Sequence, residues 1–179
     1  MESHSSHDVK PVLSAETRQA FFLDVSSRSL LIMKGADVRD LLHRISTNDL
    51  NLLTPSHPVQ TILTNEKGRI IDIITVVNRH DGSFLLVGQS NDSERLAAWL
   101  NKFIIMEDAR IEKSAFRHFL AWRLTPALEK DFSNHTVFRE VWGDVELSHV
   151  IVDEAQNITH HEAKALLTKL RDILDHNKF

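Results

Sequence analysis

The residue best suited to chemistry in this chain is Asp72, a carboxylate within a largely apolar stretch, residues 70–77. A buried carboxylate must find hydrogen-bond donors or a ligand, because desolvation penalises its charged form and raises its pKa. Two cations, Lys67 and Arg69, flank the glycine turn just before this stretch. They are natural contacts for an anionic ligand, although charges beside a glycine turn are usually only solvated. This segment is therefore the first candidate binding site, and a structural role for Asp72 is its alternative.

Other side chains that bind metals or act as nucleophiles lack the spacing that such sites need. His160 and His161 are adjacent in the first turn of an expected helix, where neighbouring side chains diverge by about 100° and do not share one ion. The chain has no cysteine, which excludes disulfides, thiolate metal sites and cysteine nucleophiles. It also lacks a glycine-rich phosphate loop and a nucleophile elbow. The sequence predicts no metal site.

The composition is that of an ordinary globular protein, with 179 residues, 42% of them hydrophobic and 26% charged. A net charge of −4 with interspersed signs gives no basic surface for nucleic acid. No apolar run approaches the roughly 20 residues of a membrane-spanning helix. The first eight residues also lack the basic start and apolar stretch of a secretory signal. We expect a cytoplasmic protein that binds neither membranes nor nucleic acid.

Three elements are expected before residue 46. Ser14 opens a short helix that runs through Phe22, and the apolar residues 29–33 form a strand that ends at a Lys-Gly turn. A second helix follows, with apolar side chains at i, i+3, i+4 and i+7. These are Val38, Leu41, Leu42 and Ile45.

Three strands are expected next, at 59–64, 69–78 and 83–88, joined by turns that each end in glycine. Asn91 or Asp92 then caps a helix, and residues 109–114 and 116–124 are extended. The apolar stripe of that helix consists of Leu96, Trp99, Leu100 and Phe103. This order predicts an α+β domain in which an antiparallel or mixed sheet carries helices on one side.

The domain organisation is expected to comprise three parts. Residues 1–13 form a disordered polar tail, and residues 14–125 form the α+β domain. Residues 126–179 form a partial second subdomain, with a hairpin around Gly143-Asp144 and a C-terminal amphipathic helix. Thr159 and Glu162 have the spacing of a capping box at the start of that helix.

Two segments carry a family resemblance. The first comprises residues 30–37, LLIMKGAD, and 41–49, LLHRISTND, and the second is 63–72, LTNEKGRIID. A strand and a helix follow the second segment, as described above. Together these features resemble the first domain of glycine-cleavage T-proteins, which are aminomethyltransferases, and of their folate-binding relatives in iron–sulfur protein maturation. The resemblance covers roughly residues 22–114.

The resemblance implies a folate site on the strand after Gly68. Members of this family are longer, and tetrahydrofolate lies in the opening of a ring of three domains. Transferases carry an Asp-Asp pair on this strand, and the carboxylate that faces folate aligns with Ile73, followed by a pocket-lining position at Thr75. Because strand side chains alternate, Ile71, Ile73, Thr75 and Val77 are expected to share a face, and Asp72 points the other way. An alignment shifted by one residue instead makes Asp72 the folate carboxylate.

These considerations leave three functional hypotheses. The first is a reduced, folate-binding aminomethyltransferase-like domain with weak affinity for tetrahydrofolate or a pteridine and no catalytic residue of its own. Its ligand-binding residues are Asp72, Ile73, Thr75, Lys67 and Arg69. The second is an interaction module that binds a protein partner or forms a homo-oligomer through surfaces that other domains cover in relatives. The third is a one-carbon transferase subunit that acts with a second chain.

Overall fold

The computed structural model of the protein describes residues 21–112, 115–132 and 135–153. Within these ranges the chain forms nine strands and three helices, together with short 3₁₀ turns at Leu50–Leu52 and Lys130–Phe132. None of the described helices is long and apolar enough to cross a membrane. In chain order the elements are β1 (Phe21–Asp24), β2 (Leu30–Lys34), α1 (Val38–Ile45), β3 (Val59–Thr64), β4 (Ile70–Asn78), β5 (Phe84–Gly88), α2 (Ser93–Leu100), β6 (Arg110–Glu112), β7 (Phe116–Trp122), α3 (Pro126–Glu129), β8 (Thr136–Trp142) and β9 (Val145–Asp153).

The strands form two antiparallel sheets. The larger sheet has five strands in the order β3-β4-β5-β2-β6, and the smaller has four in the order β1-β7-β9-β8. Every neighbouring pair in both sheets is antiparallel. The expected meander is present as β3, β4 and β5, since short glycine-containing turns can join only antiparallel neighbours. The α+β class is confirmed.

Helices α1 and α2 cover one face of the five-stranded sheet. Their apolar stripes are fully buried at Val38, Leu41 and Leu42 in α1 and at Leu96 and Leu100 in α2. The side chains of the sheet that pack against them alternate along the strands, as the period of two requires. These are Leu31, Met33, Val59, Leu63, Ile74, Val76, Phe84 and Leu86.

The opposite face of the five-stranded sheet packs against the four-stranded sheet. Six buried side chains form this contact, and Phe138 and Ile151 are the two that the smaller sheet contributes. The far side of the smaller sheet is covered by Leu124 and Phe132, which flank the short helix α3. The layers are therefore helices, a five-stranded sheet, a four-stranded sheet and a short helical segment. We call the surface of the larger sheet that lies toward the smaller one the inter-sheet face.

The sequence predicts residues 116–124 as extended and a hairpin around Gly143-Asp144, which correspond to β7, β8 and β9, but it does not predict that they assemble with β1 into a second sheet. Phe21 and Phe22 were expected to end a helix, but they lie in β1, which is paired with β7; the rest of that expected helix lies outside the described residues. Strands β1 and β7 also join the hairpin β8-β9, so strand pairing crosses residue 125. The division of domains at that residue stays a prediction. The expected C-terminal helix lies outside the described residues.

Asp92 caps α2, since its side chain accepts a hydrogen bond from the backbone N–H of Arg95 at 2.9 Å. We expect Asp92→Ala to lower the free energy of unfolding by about 1 kcal/mol, because one N-terminal N–H of the helix loses its partner. Urea unfolding followed by tryptophan fluorescence measures this. Asn91→Ala is the matched control, and an equal loss in both variants would contradict the assignment of the cap.

Candidate functional site

Strand β4 presents its side chains alternately to the two faces of the five-stranded sheet. Ile74 packs in the helix-side core, whereas Val77 packs between the sheets. By alternation Asp72 lies on the helix side, and Ile73 and Thr75 lie on the inter-sheet face.

The expected grouping of side chains on β4 is wrong at Ile71, which packs against the helix-side core rather than on the inter-sheet face. The physical reason is a register shift between Leu63 and Thr64 of the partner strand β3, which is a bulge or irregularity. Such a shift breaks the two-residue alternation. The grouping of Ile73 and Thr75 lies beyond the shift and is not affected by it.

Asp72 is 4% exposed, and hydrogen bonds engage both of its carboxylate oxygens. Oδ1 accepts from the backbone N–H groups of Ile73, Gln89 and Ser90 at 2.9, 3.2 and 3.1 Å. Oδ2 accepts from the Ser90 hydroxyl at 2.7 Å. The carboxylate thus holds the backbone between β5 and α2 in position.

Gly88 makes this arrangement of Asp72 sterically feasible. A Cβ atom at position 88 would lie 2.5 Å from Asp72 Oδ2 and 2.9 Å from the Cβ of Ser29. Both distances are shorter than side chains tolerate, so glycine is required by the close approach of Asp72 rather than by its own φ angle.

Three side chains form a continuous row across the inter-sheet face. Ile62 lies opposite Ile73, and the backbone N–H of Gln89, the residue after β5, donates to the carbonyl of Ile73 at 3.0 Å. All three residues of this row, Gln89, Ile73 and Ile62, are partly exposed. The row therefore forms an accessible surface of two apolar side chains and one polar side chain, and we call it the open row.

Lys67 and Arg69 lie away from the open row, at the exposed turn between β3 and β4. Their backbone N–H groups both donate to the side-chain oxygen of Asn65, at 3.0 and 2.9 Å. Thr75 lies on the same face as Ile73 but is 5% exposed. The structure thus separates the sequence-predicted residues into an exposed turn, a buried carboxylate on the helix side and two positions on the inter-sheet face. Their ligand contacts remain predictions.

A chain of polar side chains runs from the larger sheet into the smaller one. Gln60 Nε2 donates to Glu140 Oε1 at 2.6 Å, and Glu140 Oε2 lies 3.0 Å from His149 Nε2. His149 Nδ1 in turn lies 3.1 Å from His118 Nε2. Phe138, part of the contact between the sheets, stacks on His149 with ring centroids 4.3 Å apart. The histidines are 0% and 1% exposed, so this end of the connection is buried, whereas the Gln60–Glu140 hydrogen bond is exposed.

Burial strongly lowers the pKa of His118, to about 3, and the neighbouring His149 and Arg28 lower it further. The pKa of His149 is also lowered by burial, and Glu140 opposes that effect. Two neutral imidazoles fit the hydrogen bonds, because His149 Nε2–H donates to Glu140 and leaves Nδ1 to accept from His118 Nε2–H. The other ring nitrogen of His118, Nδ1, then has a free lone pair, and no described residue donates to it.

Within residues 21–112, 115–132 and 135–153, no three His, Asp or Glu side chains converge in a way that could hold a metal ion. The residues that sequence reasoning missed are Gln89, His118, His149 and Glu140. No local motif marks them, because they come from different strands and connecting segments that only the pairing of the sheets brings together.

Comparisons with known proteins agree with this architecture. A model of the GCVT N-terminal domain matches residues 7–119. The chain is 30% identical over 89 residues to the aminomethyltransferase of Staphylococcus carnosus, a match that covers 50% of this chain and 24% of that protein. It is 31% identical over 78 residues to a probable aminomethyltransferase of Thermococcus kodakarensis, covering 44% of this chain and 20% of that one.

A solved structure also shares the fold. The glycine cleavage system aminomethyltransferase T of Bartonella henselae superposes with a TM-score of 0.67 at 16% sequence identity, over 84% of this chain and 45% of that chain. The match thus spans about a quarter or less of the two curated relatives and under half of this structure. Because the family model matches well over half of its residues, the chain belongs to the GCVT N-terminal domain family.

Proposed function

We propose that this chain is a folate-binding domain of the aminomethyltransferase type that holds tetrahydrofolate or a related reduced pteridine weakly, without transferase activity of its own. The observation that carries the proposal is Ile73, an apolar side chain on the accessible open row. The family resemblance aligns this position with the folate-facing carboxylate of transferases. The family and the fold support the scaffold. The absence of a carboxylate at this position argues against aminomethyl transfer by this chain.

No other described carboxylate is free to replace that acid on the inter-sheet face. Asp72 lies on the helix side, where hydrogen bonds engage both of its oxygens. The two oxygens of Glu140 are engaged by Gln60 and His149. A positioned general acid or base contributes about 10²- to 10⁴-fold to a rate, so its loss is sufficient to abolish useful turnover.

The residues of the open row fit a reduced pteridine in part. Ile73 and Ile62 offer an apolar surface for a flat ring, and the Gln89 amide can both donate and accept hydrogen bonds. A carboxylate to hold the ring N–H groups is missing. We therefore expect affinity well below that of a complete folate site, with dissociation constants in the range of about 0.1–1 mM.

Restoring the acid tests the proposal. We expect Ile73→Asp to bind tetrahydrofolate about tenfold more tightly than the natural chain, since a charged hydrogen bond to the ring becomes available. Calorimetric titration under anaerobic conditions measures both affinities, and a tetrahydrofolate-dependent aminomethyl-transfer assay measures activity. Ile70→Asp is the matched control, because Ile70 lies on the same strand and is 57% exposed.

Two outcomes would contradict this proposal. Absence of binding by both the natural chain and Ile73→Asp at millimolar tetrahydrofolate would remove the folate function. Efficient transfer by the natural chain alone would show that Ile73 does not replace an essential acid. Transfer that needs a second chain would favour the third hypothesis, in which that chain supplies the carboxylate.

A role in protein interaction is the second candidate, and a specific loop favours it. Ile105 and Met106 are 82% and 93% exposed. Their backbone N–H groups donate to Glu107 Oε2 at 2.9 and 3.0 Å, and Arg44 contacts the other carboxylate oxygen at 2.9 Å. These contacts lower the pKa of Glu107 to about 2. Two large apolar side chains on a loop fixed in this way suit a contact with another protein surface.

Sedimentation velocity at tens of micromolar protein tests self-association through this loop. The double substitution Ile105→Ser and Met106→Ser should convert an associated natural chain to monomer. A natural chain that is already monomeric would reject self-association.

A further inference from the structure

Gln89, the polar residue of the open row, lies beside Ile73 at the point where β5 ends. The pair at this end of β4 and β5 is Ile74 with Gly88. One residue further along, the backbone N–H of Gln89 donates to the carbonyl of Ile73 at 3.0 Å. Residues that lie opposite each other in antiparallel strands have their side chains on the same face of the sheet. The Gln89 side chain is therefore on the inter-sheet face, next to Ile73.

Ser90, the next residue, has its side chain on the helix side of the sheet. Its hydroxyl donates to Asp72 Oδ2 at 2.7 Å and lies 3.1 Å from Ser29 Oγ. The carbonyl of Ser90 also accepts from the backbone N–H of Ser29 at 2.7 Å. Gln89 and Ser90 thus face opposite sides of the sheet, as Ile73 and Asp72 do on β4.

Asp72 holds this short segment through the backbone. Its Oδ1 accepts from the N–H groups of both Gln89 and Ser90, at 3.2 and 3.1 Å. The carboxylate is 4% exposed, so water does not compete for these hydrogen bonds. Without the carboxylate, the two N–H groups and the Ser90 hydroxyl would lose an acceptor in a partly buried environment, which is costly. The segment would then shift toward water, and the Gln89 side chain would shift with it.

The amide of Gln89 supplies the side-chain hydrogen bonds of the open row, since Ile62 and Ile73 offer apolar surface alone. Apolar contact is non-directional, so it does not fix the rotation of a flat ring. An amide places an acceptor oxygen and a donor NH2 group side by side. The ligand group that matches it is a ring edge with a donor next to an acceptor, as in the lactam of a reduced pterin.

We propose that Gln89 determines which ring edge the open row accepts, and that Asp72 is the positioning residue that fixes Gln89 from the other side of the sheet. The ligand class is a flat heterocycle whose edge carries a hydrogen-bond donor beside an acceptor. Asp72 does not touch this ligand. The inference deepens the proposed function and rests on it for the pterin ring.

A double-mutant cycle between positions 72 and 89 tests whether the two residues act on the ligand through each other. Anaerobic NMR titration with tetrahydrofolate measures the affinities. We expect Gln89→Ala to weaken binding about five- to tenfold, the equivalent of one hydrogen bond. Asp72→Ala should weaken it by a similar factor, and the double variant should bind no more weakly than Gln89→Ala. Losses that multiply, or an Asp72→Ala chain with unchanged affinity, would overturn the proposal.

Tetrahydrobiopterin locates the effect on the ligand, because it has the reduced pterin ring without the glutamate tail of tetrahydrofolate. Gln89→Ala and Asp72→Ala should weaken its binding by the same factors. A loss confined to tetrahydrofolate would place the contact at the tail and overturn the assignment of Gln89 to the ring.

Two milder variants keep the test valid if Asp72→Ala does not fold. Asp72→Asn keeps an oxygen for the backbone donors, so it should retain the affinity within about twofold. Ser90→Ala removes one of the four groups that donate to Asp72. It should weaken binding about two- to threefold in the natural chain and not at all in the Gln89→Ala chain.

The rival assignment makes Asp72 itself the ligand carboxylate, as the alignment shifted by one residue implies. Asp72→Asn would then lose the charge that binds the ring. It should in that case weaken binding at least as much as Gln89→Ala does, and by the same factor when Gln89 is already replaced. Either result overturns the proposal.

Asp81→Ala is the matched control. Asp81 also accepts from a backbone N–H and a hydroxyl, both of Ser83, at the turn between β4 and β5, the other end of this strand pair. Its loss should leave the affinity for tetrahydrofolate unchanged. A loss of affinity equal to that of Asp72→Ala would show that binding follows general stability, and would overturn the proposal.

Failure of the proposed function is separable from failure of this inference. If neither the natural chain nor Ile73→Asp binds tetrahydrofolate, the pterin assignment fails, and NMR order parameters test the positioning role without a ligand. Those of the Gln89 and Ser90 amides should be about 0.85 in the natural chain and fall toward about 0.6 in Asp72→Ala or, to a smaller extent, in Ser90→Ala. The amide of Leu86, within β5, should stay rigid. Unchanged values at 89 and 90, or an equal fall at Leu86, would overturn the inference.

Discussion

Replacing Asp72 by alanine is expected to lower the free energy of unfolding by about 3–5 kcal/mol, the largest effect of any single substitution considered for this chain. The change removes the acceptor for three backbone N–H groups and the Ser90 hydroxyl, all in a partly buried environment. Each donor left without a partner costs about 1–3 kcal/mol. Urea unfolding followed by tryptophan fluorescence measures the loss.

Two further variants make this prediction specific. Asp72→Asn keeps one oxygen for the backbone donors, so we expect it to cost only about 1–2 kcal/mol. Asp81→Ala removes a carboxylate that also accepts from a backbone N–H and a hydroxyl, both of the buried Ser83, but Asp81 itself is exposed. It should cost less than Asp72→Ala. A small loss for Asp72→Ala together with lost folate binding would instead identify Asp72 as the folate carboxylate.

Acidification from pH 7.5 to pH 5 is expected to destabilise the protein by about 2 kcal/mol through His118, with a further loss through His149. The folded-state pKa of His118 is about 3, below the ordinary value of 6.5, because the ring is buried. Below pH 6.5 the unfolded chain therefore binds more protons than the folded one. The stability contributed by the neutral ring is fully present above pH 6.5 and falls with decreasing pH down to about 3.

The measurement is the urea-unfolding free energy at half-unit steps of pH between 7.5 and 5. The pKa values of Asp24 and Asp81 are lowered in the folded protein. The stability that these carboxylates contribute is therefore lost only at lower pH, as the pH falls through their folded-state pKa values. His118→Asn should reduce the dependence of stability on pH, whereas His57→Gln, at an exposed position, should leave it unchanged. A flat profile for the natural chain, or an NMR titration of His118 near pH 6.5 in the folded state, would contradict the prediction.

The buried histidine pair also bears on the proposed site. His149 contacts Phe138, which packs between the sheets, and Glu140 links His149 to Gln60 of the larger sheet. Proton uptake by this group would therefore disturb the layer that faces the open row. We expect ligand binding and acid stability to change together in variants of these residues.

The sequence alone was sufficient for the α+β class, the meander and the two helices of the larger sheet. Their signals are local: alternation in β4, a helical stripe at Val38 and Leu41, and the cap at Asp92 depend on residues only a few positions apart. The family was also accessible, because its motifs lie in the continuous segment 30–72. The sequence also singled out Asp72 and Ile73 as the pair to compare.

Only the tertiary structure decided the second sheet and the composition of the open row. Strand β1 pairs with β7, almost a hundred residues later in the chain. The backbone N–H and C=O groups of β1 and its apolar side chains need a partner, and no local pattern specifies which strand that is. Gln89 and Ile62 likewise share a row with Ile73, because β4 pairs with β3 on one side and with β5 and the residue after it on the other. The residue types in the sequence determine which side chains can bind a ligand, but long-range strand pairing determines which of these side chains lie together.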